Sequence, residues 1–417
     1  MPSTIHHPIN PRAACVQALL RWEAGGVFAD EVLHDALASG RFNPFDRAFL
    51  TETFYGVLRH RSSLDFLISQ LRDTPLDPTT RQILRLGFYQ IFRMRIPHHA
   101  AVNETVNLAG RARGLVNALL RRSIREKDEL LAKLAQAPAA VRYSHPEFLI
   151  RRWENQFGPE GMETLCNWNN QPAEIYARAN GLRVTVGELH ADAPQAELCE
   201  KHPQMIKIRQ VPHRWIVNGL CYVQDPSTLM AVELLDPQPG ESVLDTCAAP
   251  GGKSSYIAER MQNTGRLVAT DSSRSRLERL KENLARLGVA IATVQRADWL
   301  APQTDAGGPF DRILVDAPCT NTGVIRRRVY VRWRLTPNDF ELMPARQAAM
   351  VENALAHLKP GGTLVYSTCS LEPEENEQLA ESIARRHPEL TLVETKRCDP
   401  VHDGVDGAFA ARFVKQG

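Results

Sequence analysis

The chain has 417 residues, 43% of them apolar and 24% charged, with a formal net charge of +2. That length predicts two or three domains, and that apolar content builds their cores without disulfide or metal staples. The eight cysteines, at 15, 166, 199, 221, 247, 319, 369 and 398, form no CxxC pair and no Cys/His cluster with zinc spacing, so neither a disulfide framework nor a metal site is expected. "MPSTIHHPINPRAACVQALL" lacks the charged-then-apolar layout of a signal peptide, and no apolar run reaches about 18 residues. A cytosolic protein with free thiols and no membrane partner is expected.

In chain order, residues 11–135 read as helix after helix. "RAACVQALLRWEAGG" sets Ala14, Val16, Leu19 and Leu20 near helical spacing, and Gly25–Gly26 predicts the stop. "FDRAFLTETFYGVLRHRSSLDFLISQL" continues the rhythm through Phe49, Leu50, Phe54, Val57, Leu58, Leu64, Phe66 and Leu67. "DPTTRQILRLGFYQIFRM" opens on an Asp/Pro/Thr start signal, and "HHAAVNETVNLAGRARGLVNALLRRSIREKDELL" supplies the last helices. Residues 1–140 are expected to form an all-α bundle. They carry 18 Lys/Arg against 13 Asp/Glu, whereas residues 231–417 carry 23 against 25. Arg111, Arg113, Arg121, Arg122, Arg125 and Lys127 cluster at the end of the bundle. Such a cluster suits RNA phosphates, or a solvated helix face.

Pro138, Pro146 and a break in periodicity predict a linker near 136–146. Residues 141–230 then mix a helix with strand-like runs such as "RWIVNGLCYVQD", as in a small α/β subdomain. From residue 231 the rhythm alternates: "SVLDTCA", "GGKSSYIAERM", "GRLVATD", "SRSRLERLKENLARLG", "IATVQRAD", "FDRILVDAP", a helix around 341–358, "GGTLVYST", a helix at 373–386, and "LTLVET". "AFAARFVK" reads as an edge strand. This alternation predicts a doubly wound, mostly parallel, Rossmann-like sheet over 231–417, with ligands outside the carboxyl ends of its strands.

Those strand ends hold the residues able to carry chemistry. In "VLDTCAAPGGKS", Gly251 and Gly252 let backbone approach a ligand and open a helix whose N–H groups favour an anion. The segment is neither GxGxxG nor GxxxxGKS, so dinucleotide and P-loop readings fail. Asp271 ends the second strand, 19 residues after Gly252, placed to accept ribose hydroxyls. Asp298 follows the third strand, where an adenine edge would lie. A site for adenosine without a pyrophosphate loop fits S-adenosylmethionine better than NAD. Asp316-Ala317-Pro318-Cys319 ends the fourth strand and Ser367-Thr368-Cys369-Ser370 the fifth. A thiol beside an activated methyl suits methylation at carbon 5 of cytosine, where a thiolate adds at carbon 6 and makes carbon 5 nucleophilic. Asp316 is placed to hydrogen-bond the pyrimidine's N3 or amino edge. Spacing does not rank Cys319 against Cys369. Cys15, Cys166, Cys199, Cys221 and Cys398 read as structural. Between the two thiols, "GVIRRRVYVRWR" packs Arg326, Arg327, Arg328, Arg332 and Arg334 around Tyr330 and Trp333, a pattern suited to phosphate contact and base stacking.

Taken together, "FDRAFLTETFYGVLRHRSSLDFLI", "AAVNETVNLA", "YVQDPSTLMAVELLDPQPGESVLDTCAAPGGKS", "DAPCTNTGVIRR", "STCSLEPEENE" and "DGVDGAFAARF" resemble the bacterial RsmB-type 5-methylcytosine rRNA methyltransferases of the NOL/NOP/sun group, over nearly the whole chain. The resemblance implies a NusB-like RNA-binding domain at 1–140, a linking subdomain at 141–230 and a methyltransferase domain at 231–417. It implies that Cys247, Ala248, Ala249, Pro250, Gly251, Gly252, Lys253, Asp271, Asp298 and Asp316 contact S-adenosylmethionine. It also implies that Cys369 is the nucleophile and that Cys319 assists product release. A monomer acting on a cytosine of 16S rRNA is expected. Thr320-Asn321 stand where the family often has Ser-Gly, and Arg328-Val329-Tyr330 where it commonly shows His-Pro-Asp. A tRNA or another rRNA site, or a non-catalytic assembly role, remain the alternatives.

Overall fold

The computed structural model describes residues 10–40, 42–302 and 304–417; residues 1–9, part of the segment read for a leader, lie outside them. The chain divides into two compact units, one of residues 1–170 with 332–334, the other of residues 171–331 with 335–417.

The first unit is helical: α1 (Pro11–Glu23), α2 (Ala29–Ser39), α3 (Pro44–Arg59), α4 (Arg61–Ser69), α5 (Pro78–Arg93), α6 (His98–Val106), α7 (Arg113–Arg125), α8 (Lys127–Ala135), α9 (Ala139–Arg142) and α10 (Glu147–Asn169). Three of them start alike. Asn10, Asn43 and Asp77 each accept a backbone N–H of the first turn, and each is followed by a proline whose missing N–H costs the helix nothing. The long apolar run over 46–71 is two helices, because the backbone leaves helical geometry at His60 (φ −110°, ψ 19°). Helix α5 buries Ile83, Leu84, Leu86, Phe88 and Ile91. Its buried Arg85 is paired by Asp65 (2.7 Å) and Glu23 (3.1 Å). Periodicity places a domain change near residue 140, yet by packing α10 stays with the helical unit. It buries Leu149, Ile150 and Trp153, with His145 edge-on to Trp153 at 5.4 Å.

In the second unit, β1 (Tyr176–Ala179), β2 (Glu197–Leu198), β3 (Met205–Lys207) and β4 (Cys221–Val223) form an antiparallel sheet in the order β2-β3-β1-β4, with helices α11 (Val186–Asp192) and α12 (His213–Val217). The run "RWIV", expected as strand, is the helical turn α12. Trp215 is fully buried there and donates Nε1–H to Asp192 (2.6 Å).

Helix α13 (Met230–Leu235) leads into β5 (Ser242–Asp245), α14 (Gly252–Arg260), β6 (Arg266–Asp271), α15 (Arg274–Leu287), β7 (Ala292–Arg296), β8 (Phe310–Asp316), α16 (Val331–Arg334), α17 (Asp339–Leu355), β9 (Leu358–Thr368), α18 (Glu377–Arg386), β10 (Leu390–Cys398) and β11 (Ala408–Lys415). The seven strands run in the order β10-β11-β9-β8-β5-β6-β7, parallel from β9 through β7. Alternate residues face opposite cores. Ile313, Val315, Leu364 and Tyr366 look toward α17 and α18, while Leu314 and Val365 look toward α13 and α14.

The expected edge strand "AFAARFVK" is interior. β11 pairs antiparallel with β9 on one side and β10 on the other, so β10 is the edge. The reason is visible in its side chains: Phe409, Ala411 and Phe413 are buried on one face and Ala410 on the other. An edge strand would leave part of that apolar surface wet, at about 1.5–3 kcal/mol for each phenylalanine.

Candidate active site at the carboxyl edge of the sheet

Two groups of loops meet the carboxyl ends of the parallel strands. After β5 the chain turns through Cys247–Gly251 into α14. Ala248 N–H bonds Thr270 O (2.8 Å), Gly251 N–H bonds Ala248 O (2.7 Å), and Asn283 donates to Pro250 O (2.8 Å). Gly251 has φ +107°, and an added Cβ would stand 3.0 Å from Leu280 Cδ1. Glycine therefore seats the loop tightly on α15 and aims the first amides of α14 away from the sheet. Asp271 closes β6 and is 3% exposed; its Oδ1 accepts from Ser273 N–H (2.9 Å) and from Arg276 (3.0 Å). Asp298, after β7, is exposed and accepts from Leu300 N–H (3.1 Å). The half-buried Cys247 thiol is pushed above its ordinary pKa by burial and by Asp316 and Asp245. A carboxylate on the middle strand, open amides at a helix start and a second carboxylate beyond make a donor set that fits an adenosine-bearing ligand with a free carboxylate.

A further carboxyl closes β5. Asp245 is fully buried, and Ser254 donates to its Oδ2 (2.6 Å). Burial pushes this carboxyl up to about 7.

The second group follows β8 and β9. Cys319 Sγ and Cys369 Sγ lie 3.3 Å apart, Cys319 buried and Cys369 half-buried. Beside them Asp316 is held by Lys253 Nζ (2.6 Å) and Ser367 Oγ (2.9 Å). So Lys253, from the cofactor-side loop, spends its ammonium on the carboxylate of the thiol side. The loops are brought together by glycine. A Cβ on Gly323 would stand 2.7 Å from Gly407 Cα and 2.8 Å from Cys369 O, so only bare backbone permits the Gly323 N–H to Cys369 O bond (3.0 Å) and the Gly407 N–H to Gly323 O bond (2.8 Å).

The two sulfurs hold protons unequally. Cys369 lies below its ordinary pKa, chiefly because the Cys319 thiol donates to it, with help from the positive charges of Arg328 and Lys253 against burial. Cys319 is raised well above, by the same hydrogen bond, by burial and by the nearby charges of Cys369 and Glu375. A thiolate on Cys369 and a thiol on Cys319 is the arrangement these surroundings favour. The five thiols read as structural are all raised. Burial raises Cys15, Cys166 and Cys398 to about 12 and Cys221 to about 11, and Cys199 is raised too.

The arginine-rich loop is corrected by the structure. Arg326 is 5% exposed and donates to Pro172 O (2.7 Å). Arg327 bridges Asp225 (2.6 Å) and Asp406 (2.5 Å), both buried. Arg332 is fully buried and donates to the carbonyls of Ser144 (3.1 Å) and Asn169 (2.9 Å), while Trp333 Nε1–H bonds Leu58 O (2.7 Å). These groups fasten backbone and are not displayed for nucleic acid. Arg328 is exposed and donates to Asn321 Oδ1 (2.9 Å), an oxygen that also stands 3.2 Å from Cys369 Sγ. The two departures from the family pattern thus touch each other and the thiol. In the helical unit Arg111, Arg113, Arg121, Arg122 and Arg125 are exposed, whereas Lys127 donates to Ile91 O (3.2 Å). Sequence reading missed Ser367 as an anchor of Asp316, and Glu375, hidden in the acidic run "EPEENE" where every carboxylate looks solvated.

Three family models match. Residues 232–414 match "16S rRNA methyltransferase RsmB/F", residues 9–125 match the NusB family, and residues 145–212 match an RsmF/B-like ferredoxin-like domain. A "Ribosomal RNA small subunit methyltransferase B" of Serratia proteamaculans is 36% identical over 394 residues, covering 89% of this chain and 91% of that protein. The crystal structure of PH0851 is similar over 99% of this chain and 100% of its own, with 26% identity and a TM-score of 0.80. A methyltransferase homolog from Pyrococcus horikoshii covers 66% of this chain and 97% of its own at 29% identity, with a TM-score of 0.57.

Proposed function

The chain belongs to the RsmB/F family of S-adenosylmethionine-dependent 16S rRNA methyltransferases, and on that premise we propose that it methylates carbon 5 of a cytosine in 16S rRNA through a covalent adduct with Cys369. The observation that carries this reading is the pair of thiols 3.3 Å apart beside the Lys253–Asp316 ion pair.

S-adenosylmethionine supplies an electrophilic methyl group, and Cys247–Lys253, Asp271, Asp298 and Asp316 are the residues proposed to hold it. The chain's own groups do the rest. Cys369, as thiolate, adds to carbon 6 of the cytosine and turns carbon 5 into a nucleophile. Asp316, fixed by Lys253 and Ser367, accepts a hydrogen bond from the cytosine's amino edge and so orients the ring. After methyl transfer a base takes the carbon 5 proton, the electrons of that carbon–hydrogen bond re-form the carbon 5–carbon 6 double bond, and Cys369 departs with the carbon–sulfur pair as thiolate. Cys319, in contact with the departing sulfur, assists that release by donating the hydrogen bond that stabilises it. The helical domain over residues 1–140 supplies RNA affinity through the exposed arginines of α7 and its approach, and the target base is splayed from its strand into the site. Residues 141–230 link it to the methyltransferase domain at 231–417. The protein acts as a monomer in the cytoplasm; among the described residues no helix is long and apolar enough to cross a membrane.

The thiol roles have a direct test. With 16S rRNA and cofactor, Cys319→Ala accumulates a protein–RNA adduct that survives denaturing electrophoresis, and Cys369→Ala forms none and loses turnover by about 10⁴-fold or more. The reverse pattern swaps the roles, and no adduct in either variant removes the covalent mechanism. Bisulfite mapping of rRNA and tRNA from a deletion strain tests the substrate: a methylcytosine lost from tRNA, with 16S rRNA intact, overturns it.

A further inference from the structure

Two sulfurs in contact, with one proton to share, pose a choice that the cysteines alone do not make. Asn321 Oδ1, 3.2 Å from Cys369 Sγ, accepts from a Cys369 thiol and so favours placing the proton there. Arg328 draws on that same oxygen (2.9 Å), which weakens the preference. A buried carboxylate reaches the residues that follow both sulfurs. Glu375, in the turn before α18, is fully buried. Its Oε2 accepts from Thr320 N–H (3.0 Å) and Gln347 Nε2–H (2.7 Å); its Oε1 accepts from Ser370 Oγ (2.6 Å) and from Thr320 Oγ1. Thr320 directly follows Cys319, and Ser370 directly follows Cys369. One carboxylate therefore ties the two thiol loops together. All four donors are neutral, so its negative charge is dispersed but not cancelled. Gln347 is itself fixed, donating to Pro318 O (3.0 Å) and accepting from Tyr366 OH (3.0 Å).

We propose that Glu375 is a positioning residue that both clasps the two thiol loops and assigns the shared proton to Cys319, leaving Cys369 as the nucleophile; the role rests on the cytosine-5 reading above. Two of its three bonds to the thiol loops go to Thr320, beside Cys319, and one to Ser370, beside Cys369, so its charge is tied more closely to the Cys319 loop, where it raises that thiol; Arg328, Lys253 and Asp316 also act on Cys369. Tyr366, whose hydroxyl donates to Glu375 O (2.7 Å), completes the titratable surroundings.

Competitive alkylation of the full-length protein by iodoacetamide, without RNA, reads the proton directly, because the thiolate is the reacting form. Peptide mass mapping gives the Cys369-to-Cys319 rate ratio at several pH values between about 6 and 9. Wild-type protein should alkylate Cys369 first. Glu375→Gln keeps the shape and removes the charge; the ratio should fall by about tenfold as the proton preference between the sulfurs relaxes, with S-adenosylmethionine affinity unchanged. A ratio unchanged in E375Q overturns the role of Glu375. A wild-type protein that alkylates Cys319 first overturns instead the choice of nucleophile. Because glutamine also brings a donor toward Thr320 and Gln347, E375Q is first checked for cofactor binding. If it fails, Glu375→Asp carries the test, drawing the charge back by one methylene. A reduced ratio there supports the proposal and an unchanged one overturns it.

Discussion

The two halves of the sheet's carboxyl edge are built differently. The proposed cofactor side, after β5, β6 and β7, relies on backbone amides and on carboxylates past the strand ends, Asp271 buried and Asp298 exposed, each set by its own short loop. The thiol side, after β8 and β9, is a buried web. Glu375, Gln347, Tyr366, Thr320 and Ser370 bond one another across 5 to 55 positions of sequence, and Gly323 and Gly407 let three loops touch. A loop that holds a ligand needs exposed donors, whereas a nucleophile must be fixed and its charge controlled, which takes a dry, fully satisfied surround. The first half should therefore tolerate change piecemeal and the second should fail as a unit.

The largest stability effect is expected on the thiol side. Arg327→Met leaves Asp406 and Asp225 buried without their cation, and should cost about 3–5 kcal/mol in urea unfolding. A loss below about 1 kcal/mol would show that the web does not depend on this ion pair.

Asp245→Asn probes the buried exception on the cofactor side. Its folded pKa is raised to about 7, above the unfolded value. The neutral carboxyl thus stabilises the folded state at low pH, and that contribution is lost as pH rises from about 4 through about 7. Relative to wild type, D245N should gain about 2–4 kcal/mol across that window and no more above it, since each tenfold change in proton affinity is worth about 1.4 kcal/mol. Urea titrations at both ends of the window check the sign, and a pH-independent difference removes the burial argument.

Asp271→Ala should weaken cofactor binding by about 10- to 100-fold, the loss of hydrogen bonds to a charged group, while leaving the thiol order intact. Calorimetry measures it, and a change in Cys369 alkylation would break the separation of the two halves. The smallest effect is expected in the helical unit: Arg121→Ala should lower the salt dependence of RNA binding by about one counterion without changing turnover at saturating RNA.

Legibility followed the same division. Asp271 and the turn at Gly251–Gly252 were readable because their positions relative to strand ends are local facts. The helix start at Asp77 was readable for the same reason, since a cap and its proline are adjacent; the like starts at Asn10 and Asn43 went unread. Arg326, Arg327 and Arg332 misled because cations in such a run look the same whether they face RNA or fasten buried carbonyls and carboxylates. The strand at 408–415 misled because its neighbours β9 and β10 are chosen by packing, not by chain order.

By itself the sequence determined the helical front, the alternating back and the presence of two cysteines at strand ends, since capping, periodicity and turn chemistry act within a few residues. Packing alone brought those sulfurs together, carried Lys253 across to Asp316, and set Glu375 against the residues that follow both thiols. A buried polar group takes its role from partners distant in sequence, and no local pattern records which partner arrives.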